Sequence, residues 1–252
     1  MSKSLWKKLW TTLVGRAVRP GCGVSVGSSR SGARSFATLG CFVEWKGQRF
    51  GLTCEHPFLE QREGAEVREY DVRSGEMLGQ LGRLSERAGV QVDVLDHELD
   101  FLLFRIRSGV RTCYRLPPPI GRLSGDPLRE ADLEKGVRVR MSGAVGCGSV
   151  GVVSGFTQPL RFPLGREGEV GFADVLVEVT PTFATEDGER NDPVDFGQRG
   201  DSGALVVTEA GAQPLGLLIV TSGDRLCRRG YVLPICRILR HLREQGEVRI
   251  LR

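Results

Sequence analysis

The stretch Gln198-Arg-Gly-Asp-Ser-Gly-Ala-Leu-Val206 decides which fold this 252-residue sequence is expected to take. Gly200 and Gly203 flank Ser202, and an apolar, strand-like run follows at once. Two glycines around a serine let the backbone turn tightly, so that amide N–H groups can converge on one point. A serine hydroxyl beside such donors is suited to attack a carbonyl and to hold the resulting oxyanion. Gly-Asp-Ser-Gly alone is also compatible with an ordinary β-turn, because all three residue types favour turns.

A serine is a weak nucleophile without a base, and the sequence contains only three histidines. His97 lies in a polar stretch, and His241 lies between two arginines on a helical segment. His56 differs from both, because it closes the strand-like run Phe50–Cys54 and directly precedes Pro57. A rigid sheet can present a base at such a strand-to-loop boundary. We therefore predict that His56 is the base.

The base in turn needs a buried carboxylate that orients its ring and stabilises the imidazolium. Asp93, Asp96 and Asp100 all lie between the histidine and the serine. Asp93 and Asp96 belong to a polar stretch and are typical of solvated turn residues. Asp100 directly precedes the apolar run Phe101–Phe104, at the edge of a predicted core. Asp100 is the predicted orienting carboxylate.

The rest of the chain predicts an all-β fold. After Pro20, short apolar or alternating runs are separated by glycine-bearing turns, at intervals typical of barrels and sandwiches. Helical periodicity reappears at Ile235–Gln245, which Gly246 follows. The Pro-rich stretch 116–135 reads as a linker, since consecutive prolines cannot pair within a central sheet. The predicted units are a basic amphipathic segment 1–19, a first β unit 20–115, this linker, and a second β unit 136–252 ending in a helix.

At this point the sequence resembles the chymotrypsin-like serine peptidases. The order His56, Asp100, Ser202 is the order of their catalytic residues, and the separations of 44 and 102 residues are similar. Their histidine closes a strand, their aspartate opens an apolar strand, and their serine lies in Gly-Asp-Ser-Gly. The resemblance covers about residues 22–246. It implies two packed antiparallel β-barrels with the active site between them. His56 and Asp100 would belong to the first barrel and Ser202 to the second.

The resemblance also implies the remaining site residues. The backbone N–H groups of Gly200 and Ser202 would form the oxyanion hole. The backbone of Thr221, Ser222 and Gly223 would pair with the substrate as an added strand. The floor of the pocket for the substrate side chain falls near Phe196, which favours an apolar or small side chain over a basic one. Arg199 and neighbouring arginines would instead favour an acidic residue, so this alternative stays open.

Departures from the secreted enzymes point to particular relatives. Pro57 stands where those enzymes carry a cysteine, and no activation-type Ile-Val-Gly-Gly N-terminus is present. Asp201 therefore lacks the terminal-amine partner that is usual in the family. These features resemble intracellular or viral members. The seven cysteines contain no CxxC pair, so we expect free thiols in a reducing, intracellular compartment, with no metal site and no cofactor.

Charge is segregated along the chain. Residues 1–43 carry seven basic residues and no acid, residues 44–224 carry 20 basic and 29 acidic residues, and residues 225–252 carry eight basic and two acidic residues. No aromatic-interleaved basic platform accompanies the basic ends, so we do not expect nucleic-acid binding. The amphipathic N-terminal segment is predicted to be a helix that packs on the body or contacts a membrane or partner.

Together these features predict a serine endopeptidase that hydrolyses protein or peptide substrates through an acyl-enzyme. Two alternatives use the same fold. The first is a pseudopeptidase that binds proteins in the cleft without cleaving them. The second is an autoprocessing protease that acts mainly on a segment of its own precursor.

Overall fold

The computed structural model describes residues 17–26, 36–58, 61, 64–74, 76–87, 99–146, 148–158, 161–164, 168–171, 175–182, 195–222 and 228–252. The predicted N-terminal helix therefore lies outside the described residues, apart from its last few positions. Asp93, Asp96, His97 and Gly223 lie outside them as well.

Sixteen strands, two short 3-10 turns and one α-helix make up the described part of the chain. The 3-10 turns cover His56–Phe58 and Glu130–Asp132, and the helix α1 covers Ile235–Gln245. The strands are β1 Gly23–Val26, β2 Phe36–Thr38, β3 Cys41–Trp45, β4 Gln48–Thr53, β5 Glu66–Asp71, β6 Glu76–Arg87, β7 Leu102–Ile106, β8 Arg138–Met141, β9 Ser149–Phe156, β10 Arg161–Leu164, β11 Gly168–Gly171, β12 Val177–Pro181, β13 Leu205–Thr208, β14 Pro214–Ser222, β15 Arg229–Pro234 and β16 Val248–Ile250.

Eight strands form the first sheet, in the order β16-β3-β4-β7-β6-β5-β1-β2. The central strands β3, β4 and β7 alternate or run apolar, and Phe42, Leu52, Leu103 and Phe104 on them are at most 1% exposed. Only glycine fits at position 51, because the Phe104 ring lies 2.3 Å from the place that a Cβ would occupy. Burial of each large apolar side chain stabilises the fold by about 1.5–3 kcal/mol. The buried side chains of these strands form a close-packed core, which fixes the position of β4 and of its C-terminal end.

Six strands close the second unit into a barrel, in the order β12-β15-β14-β13-β8-β9. Its core contains Met141, Val206, Leu218 and Val232, all 0% exposed. Register shifts interrupt the pairing of β13 with β14 and of β14 with β15. Such irregularities sharpen the twist of a strand and help to close a barrel.

The C-terminal segment connects the two units. Ile235, Ile238, Leu239 and Leu242 line one side of α1 and are all buried, as their helical spacing predicts. The indole N–H of Trp45 in β3 donates to the backbone carbonyl of Leu242 at 3.1 Å. Strand β16 then pairs antiparallel with β3. The helix and strand therefore fix the second unit against the first.

The all-β prediction is confirmed, and α1 begins and ends where the sequence pattern placed it. Strand β16 lies within the predicted second unit, 136–252. In the structure it pairs with β3 and forms one edge of the first sheet. Pairing with a strand 200 residues earlier cannot be read from local periodicity. No helix of the described residues has the length and hydrophobicity needed to cross a membrane.

Candidate active site

Strand β4 presents His56 at its end. The chain leaves β4 after Thr53 and enters a 3-10 turn that begins at His56. The N–H of Phe58 donates to the carbonyl of Glu55 at 2.7 Å, and the Phe58 ring is 1% exposed. The buried ring directly after the turn anchors it in the core, which fixes the backbone that carries the imidazole.

Asp100 orients His56 through both of its carboxylate oxygens. Oδ2 lies 2.6 Å from Nδ1 of His56, and Oδ1 accepts the backbone N–H groups of Glu55 and His56, each at 2.8 Å. The carboxylate is buried, and the His56 side chain is 16% exposed. Three donors on one buried carboxylate leave it a single orientation. The predicted pairing of His56 with Asp100 is therefore present in the structure.

The protonation of this pair follows from its surroundings. Burial lowers the pKa of His56, but the charge and hydrogen bond of Asp100, together with the neighbouring Cys54 sulfur, raise it by more in sum, so that it lies well above 6.5. Burial likewise raises the pKa of Asp100, and the His56 charge and the three hydrogen bonds lower it by more, so the net shift is downward. The pair therefore favours an imidazolium beside a carboxylate.

The serine loop contains the turn Gln198–Asp201, in which the N–H of Asp201 donates to the carbonyl of Gln198 at 2.9 Å. Gly200 has a φ of 101°, which identifies a type II turn. A type I turn, with the Arg199–Gly200 peptide rotated by about 180°, would need a negative φ at Gly200. Across the described residues, no acceptor takes the N–H of Gly200 or of Ser202. Both donors are thus available to an oxyanion.

Gly203 brings this loop against the chain that leads to His56. A Cβ on Gly203 would lie 2.3 Å from Thr53 Oγ1 and 3.0 Å from the backbone nitrogen of Cys54. The φ of Gly203, 89°, also favours glycine. Gly203, the residue after Ser202, therefore packs against Thr53 and Cys54, which lie just before Glu55 and His56. The structure thus pairs His56 with Asp100 and packs the loop that carries Ser202 against the end of β4 that leads to His56.

A backbone turn that the sequence analysis missed holds Asp201. The buried carboxylate accepts the N–H groups of Val145 at 2.9 Å, Gly146 at 3.0 and 3.1 Å, and Gln198 at 2.9 Å. Burial raises the pKa of Asp201, and these donors oppose the rise. Backbone N–H groups that converge in this way can hold a carboxylate without a cationic partner. In the sequence, the two glycines of Ser142-Gly-Ala-Val-Gly146 indicate a tight turn at this place.

The predicted substrate-binding residues fall into three groups. Thr221 and Ser222 end β14, where they pair with β15 and leave the strand partly exposed. Arg199 is exposed, directly before the turn glycine. Phe196 differs from its prediction, because its side chain is 0% exposed within the second core and contacts no open surface. Its ring occupies the space beside Gly230, where a Cβ would lie 2.4 Å from it.

Two charged residues in this part of the described structure, Asp195 and Arg229, have ion-pair partners. The Asp195 carboxylate accepts the backbone N–H of Arg228 at 3.2 Å and lies 3.6 Å from its guanidinium. Arg229 pairs with Glu178 at 2.7 Å. Among the described residues, no group of three or more His, Cys, Asp or Glu side chains is arranged to hold a metal ion.

Comparison with known proteins identifies the fold. No protein-family model matches the chain, and no curated protein matches its sequence. Among solved structures, protease A of Thermobifida fusca superposes with a TM-score of 0.61 and 18% identity, covering 93% of this chain and 98% of that one. A chymotrypsin of Cellulomonas bogoriensis gives 0.60 and 18%, with the same coverage. A glutamic-acid-specific serine protease, described as using a histidine triad in substrate binding, gives 0.59 and 16%, covering 93% of this chain and 100% of that one.

At these identities the superpositions establish the fold alone. The chain has the double-β-barrel fold of chymotrypsin-like serine proteases, which confirms the fold that the sequence resemblance implied.

Proposed function

We propose that this protein is a serine endopeptidase that hydrolyses peptide bonds in protein or peptide substrates. The observation that carries the proposal is the hydrogen-bonded pair His56–Asp100 at the end of β4, with the Ser202 loop docked on the residues just before it. Serine proteases are also among the proteins whose solved structures resemble this chain over nearly its whole length.

In the proposed reaction, Ser202 Oγ attacks the scissile carbonyl carbon while Nε2 of His56 takes the hydroxyl proton. The carbonyl oxygen becomes an oxyanion, which the N–H groups of Gly200 and Ser202 stabilise. His56 then gives its proton to the leaving amine, and an acyl-enzyme on Ser202 remains. Water then attacks the carbonyl carbon of the acyl-enzyme while His56 takes one of its protons. The tetrahedral intermediate collapses to the carboxylic acid product, the bond to Ser202 Oγ breaks, and His56 returns the proton to the Ser202 oxygen.

Asp100 has a defined part in these steps. When the imidazole is neutral, Asp100 Oδ2 accepts the Nδ1–H of His56, which leaves Nε2 without a proton and able to act as the base. When Nε2 takes the serine proton, the imidazolium forms beside a carboxylate whose charge stabilises it. Thr221 and Ser222 on β14, together with Gly223, would hold the substrate backbone as an extra strand. No metal or cofactor is needed for any of these steps.

A fluorophosphonate probe tests the proposal directly. The probe should phosphonylate the folded protein as fluoride leaves, and peptide mass spectrometry should locate the phosphonyl group on Ser202. Protein unfolded in urea should not react, since labelling requires the assembled site. A folded protein that stays unlabelled, while trypsin in the same tube is labelled, would refute the enzyme and favour the binding-module alternative.

We further propose that the residue before the cleaved bond is apolar or small. Asp195 supports this proposal, because its carboxylate is already paired with Arg228 and is therefore not free to bind a basic side chain. Among otherwise identical peptide substrates, those with Phe or Ala at this position should give kcat/KM at least about 10-fold above those with Lys. A higher kcat/KM for Lys would contradict the assignment, and a higher value for Glu would favour the role of Arg199 as an acidic-residue selector.

A further inference from the structure

We infer that Thr38 is a positioning residue for the oxyanion hole. The inference rests on the proposed function, and it concerns a residue that contacts no substrate. Thr38 is the last residue of β2, at the edge of the first sheet, and it is 0% exposed.

Thr38 bonds to both residues whose N–H groups form the proposed hole. Its hydroxyl donates to the carbonyl of Gly200 at 2.9 Å, and its backbone N–H donates to the carbonyl of Ser202 at 2.8 Å. Each bond is made on the carbonyl side of the residue. Neither bond uses the N–H group of Gly200 or Ser202, and among the described residues these N–H groups have no acceptor.

The same hydroxyl also reaches the turn that holds Asp201. Thr38 Oγ1 accepts the backbone N–H of Ala144 at 3.0 Å, and the next two N–H groups of that turn bond to the Asp201 carboxylate. One hydroxyl thus donates to the serine loop and accepts from the turn beside it. The carbonyl of Thr38 accepts from Thr53 Oγ1 at 2.7 Å, which fixes Thr38 to β4 itself.

These bonds connect the two halves of the site. His56 follows β4 in the first sheet, while Gly200 and Ser202 belong to the second barrel. An oxyanion donor must lie within 2.7–3.1 Å of the place where negative charge develops, so small displacements of the loop are costly. The hydroxyl of Thr38 sets the position of that loop relative to β4. Sequence patterns could not reveal this, because the partners lie 106 and 162 residues away.

Thr38→Val tests the inference, because valine keeps the shape of threonine and removes only the hydroxyl. It should lower kcat, per active site titrated with a fluorophosphonate, about 10- to 100-fold. KM should stay within about threefold, because the lost alignment matters in the transition state and little in substrate binding. Thr38→Ser keeps the hydroxyl and should keep kcat within about threefold of the wild type.

Thr208→Val is the matched control. The Thr208 hydroxyl also accepts a backbone N–H, that of Gln213 at 3.1 Å, but in a hairpin at the far end of β13. Its kcat should equal that of the wild type. Thr38→Ala removes the same hydroxyl without adding bulk, so it answers the question if the valine variant does not fold.

The outcomes separate this inference from the proposed function. A wild-type protein without activity or labelling refutes the function, and this inference with it. An active wild type whose Thr38→Val or Thr38→Ala variant keeps its kcat per titrated site refutes the inference alone. A lower melting temperature with unchanged kcat per site does so too, because it identifies Thr38 as a residue of stability only.

Discussion

Ser202→Ala is expected to lower kcat for peptide hydrolysis by about 10⁶-fold, because the nucleophile is removed while the rest of the site remains. The residual rate would come from the oxyanion donors and from substrate binding. Hydrolysis of a fluorogenic peptide, followed over days, measures it. Ser202 is half-buried, and its side chain makes no hydrogen bond among the described residues, so the melting temperature should change little.

Ser108→Ala provides the control for this variant. Ser108 lies exposed in the turn after β7, so its loss should leave kcat and the melting temperature unchanged. A Ser202→Ala protein that still cleaves peptides at a tenth of the wild-type rate would show that another group is the nucleophile.

Asp100→Asn is expected to lower kcat about 10⁴-fold with little change in KM. The asparagine oxygen can still accept the N–H groups of Glu55 and His56, so the loop keeps its shape. Its amide NH₂, however, would donate to Nδ1 of His56, where Oδ2 now accepts. The proton of the neutral imidazole then moves to Nε2, and Nε2 can no longer take the serine proton.

The same variant should change the pH profile. His56 acts as a base only when it is neutral, so wild-type kcat/KM should rise with pH through an apparent midpoint above 6.5. Asp100→Asn removes the main cause of the raised pKa, so its midpoint should lie lower. The charged pair stabilises the native state below pH 6.5, and this contribution is lost as the pH rises through the raised pKa.

Asp132→Asn is the control for both measurements. Asp132 forms an exposed ion pair with Arg129 at 2.7 Å, and exposed pairs contribute little to stability. Its variant should keep the wild-type kcat within about twofold and the wild-type midpoint. A wild-type midpoint at or below that of Asp100→Asn would contradict the assignment of Asp100.

Local chemistry explains why much of the site could be predicted from sequence. Glycines that flank a serine encode a tight turn, and the run that ends at Cys54 encodes a strand whose end carries His56. Asp100 was distinguished from Asp93 and Asp96 by the apolar strand behind it, and the structure pairs it with His56. Helix α1 was read from the spacing of its buried residues. Each of these features depends on neighbours within about ten positions.

Contacts over long separations were decided only by the tertiary structure. Thr38 forms hydrogen bonds with Gly200 and Ala144, and Asp201 forms them with Val145 and Gly146. Strand β16 pairs with β3. The burial of Phe196 likewise depends on distant residues, because its ring occupies space that Gly151 and Gly230 leave open in the core.

By itself, then, the sequence determined the all-β class, the closing helix, and which serine, histidine and aspartate are suited to act together. The packing of the two units decided how the serine loop is held, because the carbonyl groups of Gly200 and Ser202 bond to Thr38, a residue of the first sheet that is distant in sequence. Periodicity records which face of a strand is buried, but it carries no information on which strand or turn will cover that face.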